Sequence, residues 1–171
     1  MKRIFLFLLI LLCTTLHAPA QTREAANGVP VQTKFLGAEF GAKKADIINA
    51  LKDAGLIYTD NQIMVSAKKA AIGGVVWDVV AFILSGDVFT GLLLSRVSPS
   101  EDLTMEYEYV KTAIMAKYPV EKLDIEGDDD FYGYSDAEGN RMQFTGGPRM
   151  IIVHYTSKFE SEKRQEVYQQ F

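Results

Sequence analysis

The chain has 171 residues, 18 Lys and Arg against 22 Asp and Glu, a single cysteine and 48% hydrophobic residues. That length suits one domain. The acidic balance argues against a nucleic-acid partner, which wants a basic face, and no polybasic segment offers itself to anionic lipid.

Met1-Lys2-Arg3 opens the chain with positive charge, and residues 4–12 carry no polar group. His17-Ala18-Pro19-Ala20-Gln21 then places small residues at Ala18 and Ala20. Positive start, short apolar run and A-x-A site, in that order, predict a cleavable secretory signal peptide over residues 1–20. The apolar run is too short for a bilayer, which takes about 20 residues. Cleavage between Ala20 and Gln21 leaves 151 residues (171 − 20) and places them in the periplasm or outside the cell. Losing Lys2 and Arg3 leaves 16 basic and 22 acidic residues, a net charge of −6. Cys13 falls within the discarded run, and the large Leu12 before it disfavours a lipid anchor. The mature chain then forms no disulfide, which an exported domain tolerates when its core is large enough.

Residues 21–34 are polar without apolar period and read as a flexible leader; residues 35–171 read as the domain. Phe35 to Phe40 is a short strand or extended lead-in, broken by Gly41. A first helix follows over about 42–54, with Ile47, Ile48, Leu51 and Ala54 on one face. Gly55 ends it where a left-handed residue is needed, and Leu56 can fold back on Leu51. A strand is expected at 62–67, then a turn at Lys68-Lys69. From Ala70 to Ser95 the only charges are Asp78 and Asp87. A membrane helix is conceivable there, but the glycines and the Val and Ile content favour a buried β-hairpin, 75–84 and 88–97, turning at Ser85-Gly86-Asp87. Apolar residues on both faces of these strands call for cover on both sides. Trp77 belongs to the core or a protected rim.

Ser98-Pro99-Ser100-Glu101 reads as a helix start, a capping Ser before Pro with Glu three residues on. Leu103, Tyr107, Val110, Ile114 and Tyr118 form its apolar stripe, and Pro119 ends it. Further strands are expected at 120–126, 131–135, 141–145 and 150–155, with a hairpin turn at 136–140 and a second turn at Gly146-Gly147-Pro148. Ser157 to Glu160 is a capping box opening a terminal helix to Phe171. The fold class is α+β, helices on one face of an antiparallel sheet, with a C-terminal helix. Two helix-plus-sheet halves, 35–97 and 98–156, are a further reading.

The run Phe35-Leu36-Gly37, Gly41, Ile47-Ile48, Leu51-Lys52 and Gly55 resembles the opening of small exported domains of Gram-negative bacteria, often of the Bacteroides group. Gly74, Trp77, Phe82 and Lys117-Tyr118-Pro119 look like the same set. Such domains are similar in plan to the beta-lactamase inhibitor protein and to the small lipoprotein of the outer-membrane β-barrel assembly machinery. The resemblance covers residues 35–156 through structural glycines and apolar positions. It carries no catalytic residue and implies a binding or assembly role. The lipoproteins of the group keep a cysteine at the cleavage point, where this chain has Ala20.

Chemistry is sparse. His154 is the one histidine of the mature chain and alternates with apolar residues in 150–155, which reads as a strand residue rather than a base. The acids Asp124, Glu126, Asp128 and Asp130 alternate as calcium ligands do, but Asp129 and Ser135 stand where an EF-hand has Gly and Glu. A solvated turn explains the cluster, with a weak calcium site or an acidic contact for a basic partner as alternatives. By strand alternation Tyr132 and Tyr134 share a face opposite Phe131 and Gly133. If exposed, the two tyrosines form an aromatic contact patch beside Asp128 and Asp130; if covered by a helix, they belong to the core.

These residues lead to an exported, non-enzymatic protein-binding or envelope-assembly module without cofactor. Its expected partner is another envelope protein, and its mature chain makes no stable membrane span. The alternatives are a small periplasmic hydrolase built from dispersed carboxylates and His154, or a calcium-stabilised structural domain.

Overall fold

The computed structural model describes residues 28–122 and 130–160. The elements in chain order are β1 (Lys34–Phe35), β2 (Ala38–Glu39), α1 (Lys44–Asp53), β3 (Tyr58–Asp60), β4 (Met64–Ile72), β5 (Val75–Ser85) and β6 (Val88–Val97). After them come α2 (Thr104–Lys117), β7 (Glu121–Lys122), β8 (Asp130–Ser135), β9 (Arg141–Gly147) and β10 (Met150–Thr156). The fold is sheet-rich. β3 to β10 make one eight-stranded antiparallel sheet in the order β3-β4-β5-β6-β10-β9-β8-β7. α1 and α2 are each followed by four strands, and the two sets join at β6 and β10, where Ser95 pairs with Ile152 and Leu94 with Val153.

Cross-strand neighbours share a face, so the register separates the two sides of the sheet. Ala67, Val80, Leu94, Val153, Phe144 and Tyr132 form one row across six strands, and all are buried. One residue along, Lys68, Val79, Ser95, Ile152, Thr145 and Phe131 form the next row, and none is buried. Ile47 and Leu51 of α1 and Tyr107, Val110 and Ile114 of α2 join the core cluster of the first row. The core therefore lies on one side of the sheet.

Local chemistry explains most boundaries. α1 ends in a Schellman motif: Gly55 sits at φ 68, its N–H donates to the Lys52 carbonyl, and the Leu56 N–H donates to the Leu51 carbonyl, both at 2.9 Å. The stripe Leu103, Tyr107, Val110, Ile114 and Tyr118 is buried throughout. However, α2 begins at Thr104 rather than at Pro99. The Ser98 hydroxyl does accept the Glu101 N–H at 2.9 Å, but this closes a turn, and the Asp102 carboxylate accepts the Thr104 N–H at 2.9 Å where the helix starts. Residues 34–39 are a tight hairpin, with Leu36 and Gly37 both at positive φ, as a two-residue turn of the I′ kind requires.

Three other expectations are corrected. Lys68 and Lys69 do not turn the chain: β4 runs through them to Gly73-Gly74, both at positive φ. Lys69 faces Asp78 on β5 and bonds it at 2.5 Å. The turn after β9 falls at Pro148-Arg149, since Gly146 and Gly147 remain in the ladder with β10. Residues 28–34 are not a free leader. Val31 is buried and its N–H donates to Asp136 at 2.9 Å, while Tyr134 donates to the Val29 carbonyl at 2.8 Å. The expected signal peptide, residues 21–27 of the expected leader and the part beyond residue 160 of the expected C-terminal helix lie outside the described residues.

The stretch read as a hairpin forms strands. No helix among the described residues is long and apolar enough to cross a membrane. The β5–β6 ladder begins at Val79 and Ser95. Before that point β4 and β5 pair only with each other, so their tip is a two-stranded arm. The arm reaches α2: Tyr109 donates to the Gly73 carbonyl at 3.2 Å, and Trp77, 3% exposed, donates from its indole to the Ile72 carbonyl at 3.0 Å. This arm forms one wall of a cavity beneath α2.

Candidate functional site

Asp130 opens β8 and turns toward α2, where four side chains converge on it. Tyr107 and Lys111 lie one helical turn apart on α2 and donate to Oδ2 at 2.5 and 2.9 Å. Lys122 on β7 reaches Oδ1 at 2.8 Å, and Tyr132, two residues along β8 and so on the same face, donates to Oδ2 at 3.2 Å. The Lys111 ammonium also stands 5.2 Å from the Tyr107 ring centre and 5.5 Å from that of Tyr132. One carboxylate thus ties α2 to the far edge of the sheet.

The electrostatics follow from these contacts. Lys111, then Lys122 and Tyr107, hold the Asp130 carboxyl well below the usual carboxylate range. Burial, and then the hydrogen bond to Asp130, push the Tyr107 phenol up to about 12. The hydrogen bond to Asp130 raises the Lys111 pKa. Because the unfolded chain takes up the Asp130 proton first, this contribution is complete above about pH 4 and is lost as pH falls. The Tyr107 contribution has the opposite sense, present below pH 10 and lost as pH rises through about 12. Asp130→Asn should cost about 1–3 kcal/mol at neutral pH, discounted for partial exposure. Urea titrations from pH 2 to pH 7 should show a flatter acid limb than that of the native chain.

The chain matches no protein-family model, no curated protein and no solved structure.

The structure does not form the exposed two-tyrosine patch. Tyr132 and Tyr134 do share a face, as alternation expects, but it is the core face. Tyr132 is 5% exposed and stacks on Phe144 at 5.9 Å. Tyr134 is half-buried and stacks on Tyr118 at 5.3 Å. The physical reason is α2 and the residue after it: Lys111 stands over the Tyr132 ring and Tyr118 stacks on Tyr134. Asp124, Glu126 and Asp128 lie outside the described residues. Asp130 is engaged by two ammonium groups, and a carboxylate so occupied is a poor cation ligand. His154 sits on the other face of the sheet, between Leu93 of β6 and Gln143 of β9. Asp130 and His154 are therefore on opposite sides and are not brought together.

Two features depend on the assembled sheet. One is the face away from α1 and α2. There Val79, Ile83, Leu93, Ile152 and Phe131 are half-buried, and the strand-end residues Val88 and Val97 are exposed. The apolar residues on both faces of 75–84 and 88–97 called for cover there; the register adds Ile152 of β10 and Phe131 of β8 to the same face. The other is the cavity under α2, about 260 Å³ in volume, whose walls come from segments far apart in the chain.

Proposed function

We propose that this chain is an exported, non-enzymatic binding module of a Gram-negative envelope, built from two halves, and that it holds a protein partner on the sheet face turned away from α1 and α2. Each half is a helix followed by four antiparallel strands. The order α1 with β3 to β6, then α2 with β7 to β10, supports the two halves. The positive start, apolar run and A-x-A site support export.

One observation carries the binding role: the composition of the outward face. An antiparallel sheet with one solvated face alternates apolar and polar residues. Here Val79, Ile83, Leu93, Ile152 and Phe131 occupy positions where such a face would be polar. Among them stand Ser95, Thr145, Gln143 and His154, a mixture that resembles a recognition surface more than a dry core.

The test is capture from envelope extract of the natural host, with residues 21–171 as bait. A partner recovered in near-equal amount should be lost with Ile152→Lys, which places a charge at the centre of the face. Ile57→Lys, at an exposed loop position, should leave capture unchanged. Undiminished capture by folded Ile152→Lys protein would move the binding surface elsewhere.

A further inference from the structure

The cavity beneath α2 has the attributes of a ligand site, independently of the outward face. It lies between α2, the β4–β5 arm and the segment before β1. Phe35, Trp77, Leu94, Ile114 and Val153 give it apolar walls. Polar groups gather where α2 ends. There Lys117 donates to the Gln32 side-chain oxygen at 3.1 Å and stands 5.0 Å from the Tyr118 ring centre. The Tyr118 hydroxyl accepts the Gln32 backbone N–H at 3.1 Å.

Tyr155 lines the same space and is 8% exposed, with its ring 4.8 Å from that of Phe35. Its hydroxyl has no hydrogen-bond partner among the described residues. Burial, with the Tyr118 phenol adding to it, raises the Tyr155 pKa, so the group is a neutral donor throughout the physiological range. The hydroxyl is not sealed from solvent, so it opens onto the cavity, where a ligand oxygen can take its hydrogen bond in place of water. A single water would answer the hydroxyl but fill little of the space, since it takes about 30 Å³. From Tyr109, beside the arm, to Lys117 the helix advances about 12 Å at 1.5 Å per residue. The cavity therefore combines a polar end with an apolar length.

We propose that this cavity binds a small monocarboxylate with an apolar body, of the medium-chain fatty acid class. The chain lies along Trp77, Leu94 and Ile114, and the carboxylate accepts the Tyr155 hydroxyl beside the Lys117 ammonium. By scaling from benzene in a cavity of about 150 Å³, the space takes about ten non-hydrogen atoms.

Trp77 is the only tryptophan of the chain, so its emission reports on the cavity without labelling. Octanoate, kept below its micellar concentration, is titrated into protein recovered from an exporting host. A saturable one-to-one change is expected. Tyr155→Phe keeps the ring and removes only the hydroxyl, and should weaken binding about tenfold or more. Octanol, with the same chain and no charge, should bind about tenfold more weakly than octanoate. Ala113→Phe, at an exposed helix position on the cavity mouth, should abolish the change while leaving the circular dichroism spectrum intact. No saturable change with octanoate, equal affinity in Tyr155→Phe, or equal affinity for octanol would each overturn the proposal.

Discussion

Phe144→Ala should lower the stability of the domain by about 3–5 kcal/mol, the range for removing a buried aromatic ring. Phe144 is 1% exposed and is the middle of three rings. Tyr107 stacks on it from α2 at 5.6 Å and Tyr132 from β8 at 5.9 Å, both with planes 18° apart. Removing the ring leaves a cavity at the one place where helix, sheet and the Asp130 network meet. Tyr107 and Tyr132 would also lose the packing that aims their hydroxyls at Asp130. Phe144→Leu refills part of the volume and should recover a good share of the loss. Guanidinium unfolding of the three proteins checks both statements. A loss below about 1 kcal/mol for the alanine variant would show that α2 is not packed as described.

Gly146→Ala is the second large effect, and its origin is steric rather than hydrophobic. A Cβ at Gly146 would lie 2.5 Å from the Met150 carbonyl oxygen, 3.2 Å from the Ile151 Cα and 3.3 Å from Cδ2 of Tyr107. Two of these neighbours are backbone of the paired strand β10, which cannot retreat without breaking its ladder with β9. The expected cost is about 2–3 kcal/mol. Gly86 provides the contrast. It has nothing within 4 Å of a Cβ and sits at φ 62, a conformation that asparagine tolerates. Gly86→Asn should therefore change the melting temperature little, whereas Gly146→Ala should lower it by several degrees.

The parts of this fold that could be read from the chain are those set by short-range geometry. The α2 stripe shows as a 3.6-residue period because Leu103, Tyr107, Val110, Ile114 and Tyr118 meet one core. Gly55 is visible because only a left-handed residue allows the Schellman closure. Strand β9 alternates cleanly since Met142 and Phe144 face the core while Gln143 and Thr145 face away. Contacts between distant residues explain the errors. Lys68-Lys69 resembles a turn until Asp78 is seen opposite Lys69. Ser98 resembles a helix cap until Asp102 is found at the true start. The joining of β6 to β10 leaves no local trace, because Ser95 and Ile152 meet only in the finished sheet.

The candidate sites follow the same division. Asp130 stood out as an acid among acids, but its role depends on Lys111 and Lys122, which come from a helix and another strand. The cavity could not be anticipated at all. Tyr155, Trp77, Lys117 and Gln32 lie in four separate segments, and the arm that closes the space depends on where the β5–β6 ladder ends.

The most direct test of the binding surface is hydroxyl-radical footprinting of the protein alone and with its captured partner. Ile152, Phe131, Leu93 and Met150 report the outward face; Met105 and Tyr109 report the outside of α2, where they are 85% and 54% exposed. Labelling of the first four should fall in the complex while Met105 and Tyr109 label as before. Protection of Met105 and Tyr109 with Ile152 and Phe131 unchanged would contradict this and place the partner on the helix side.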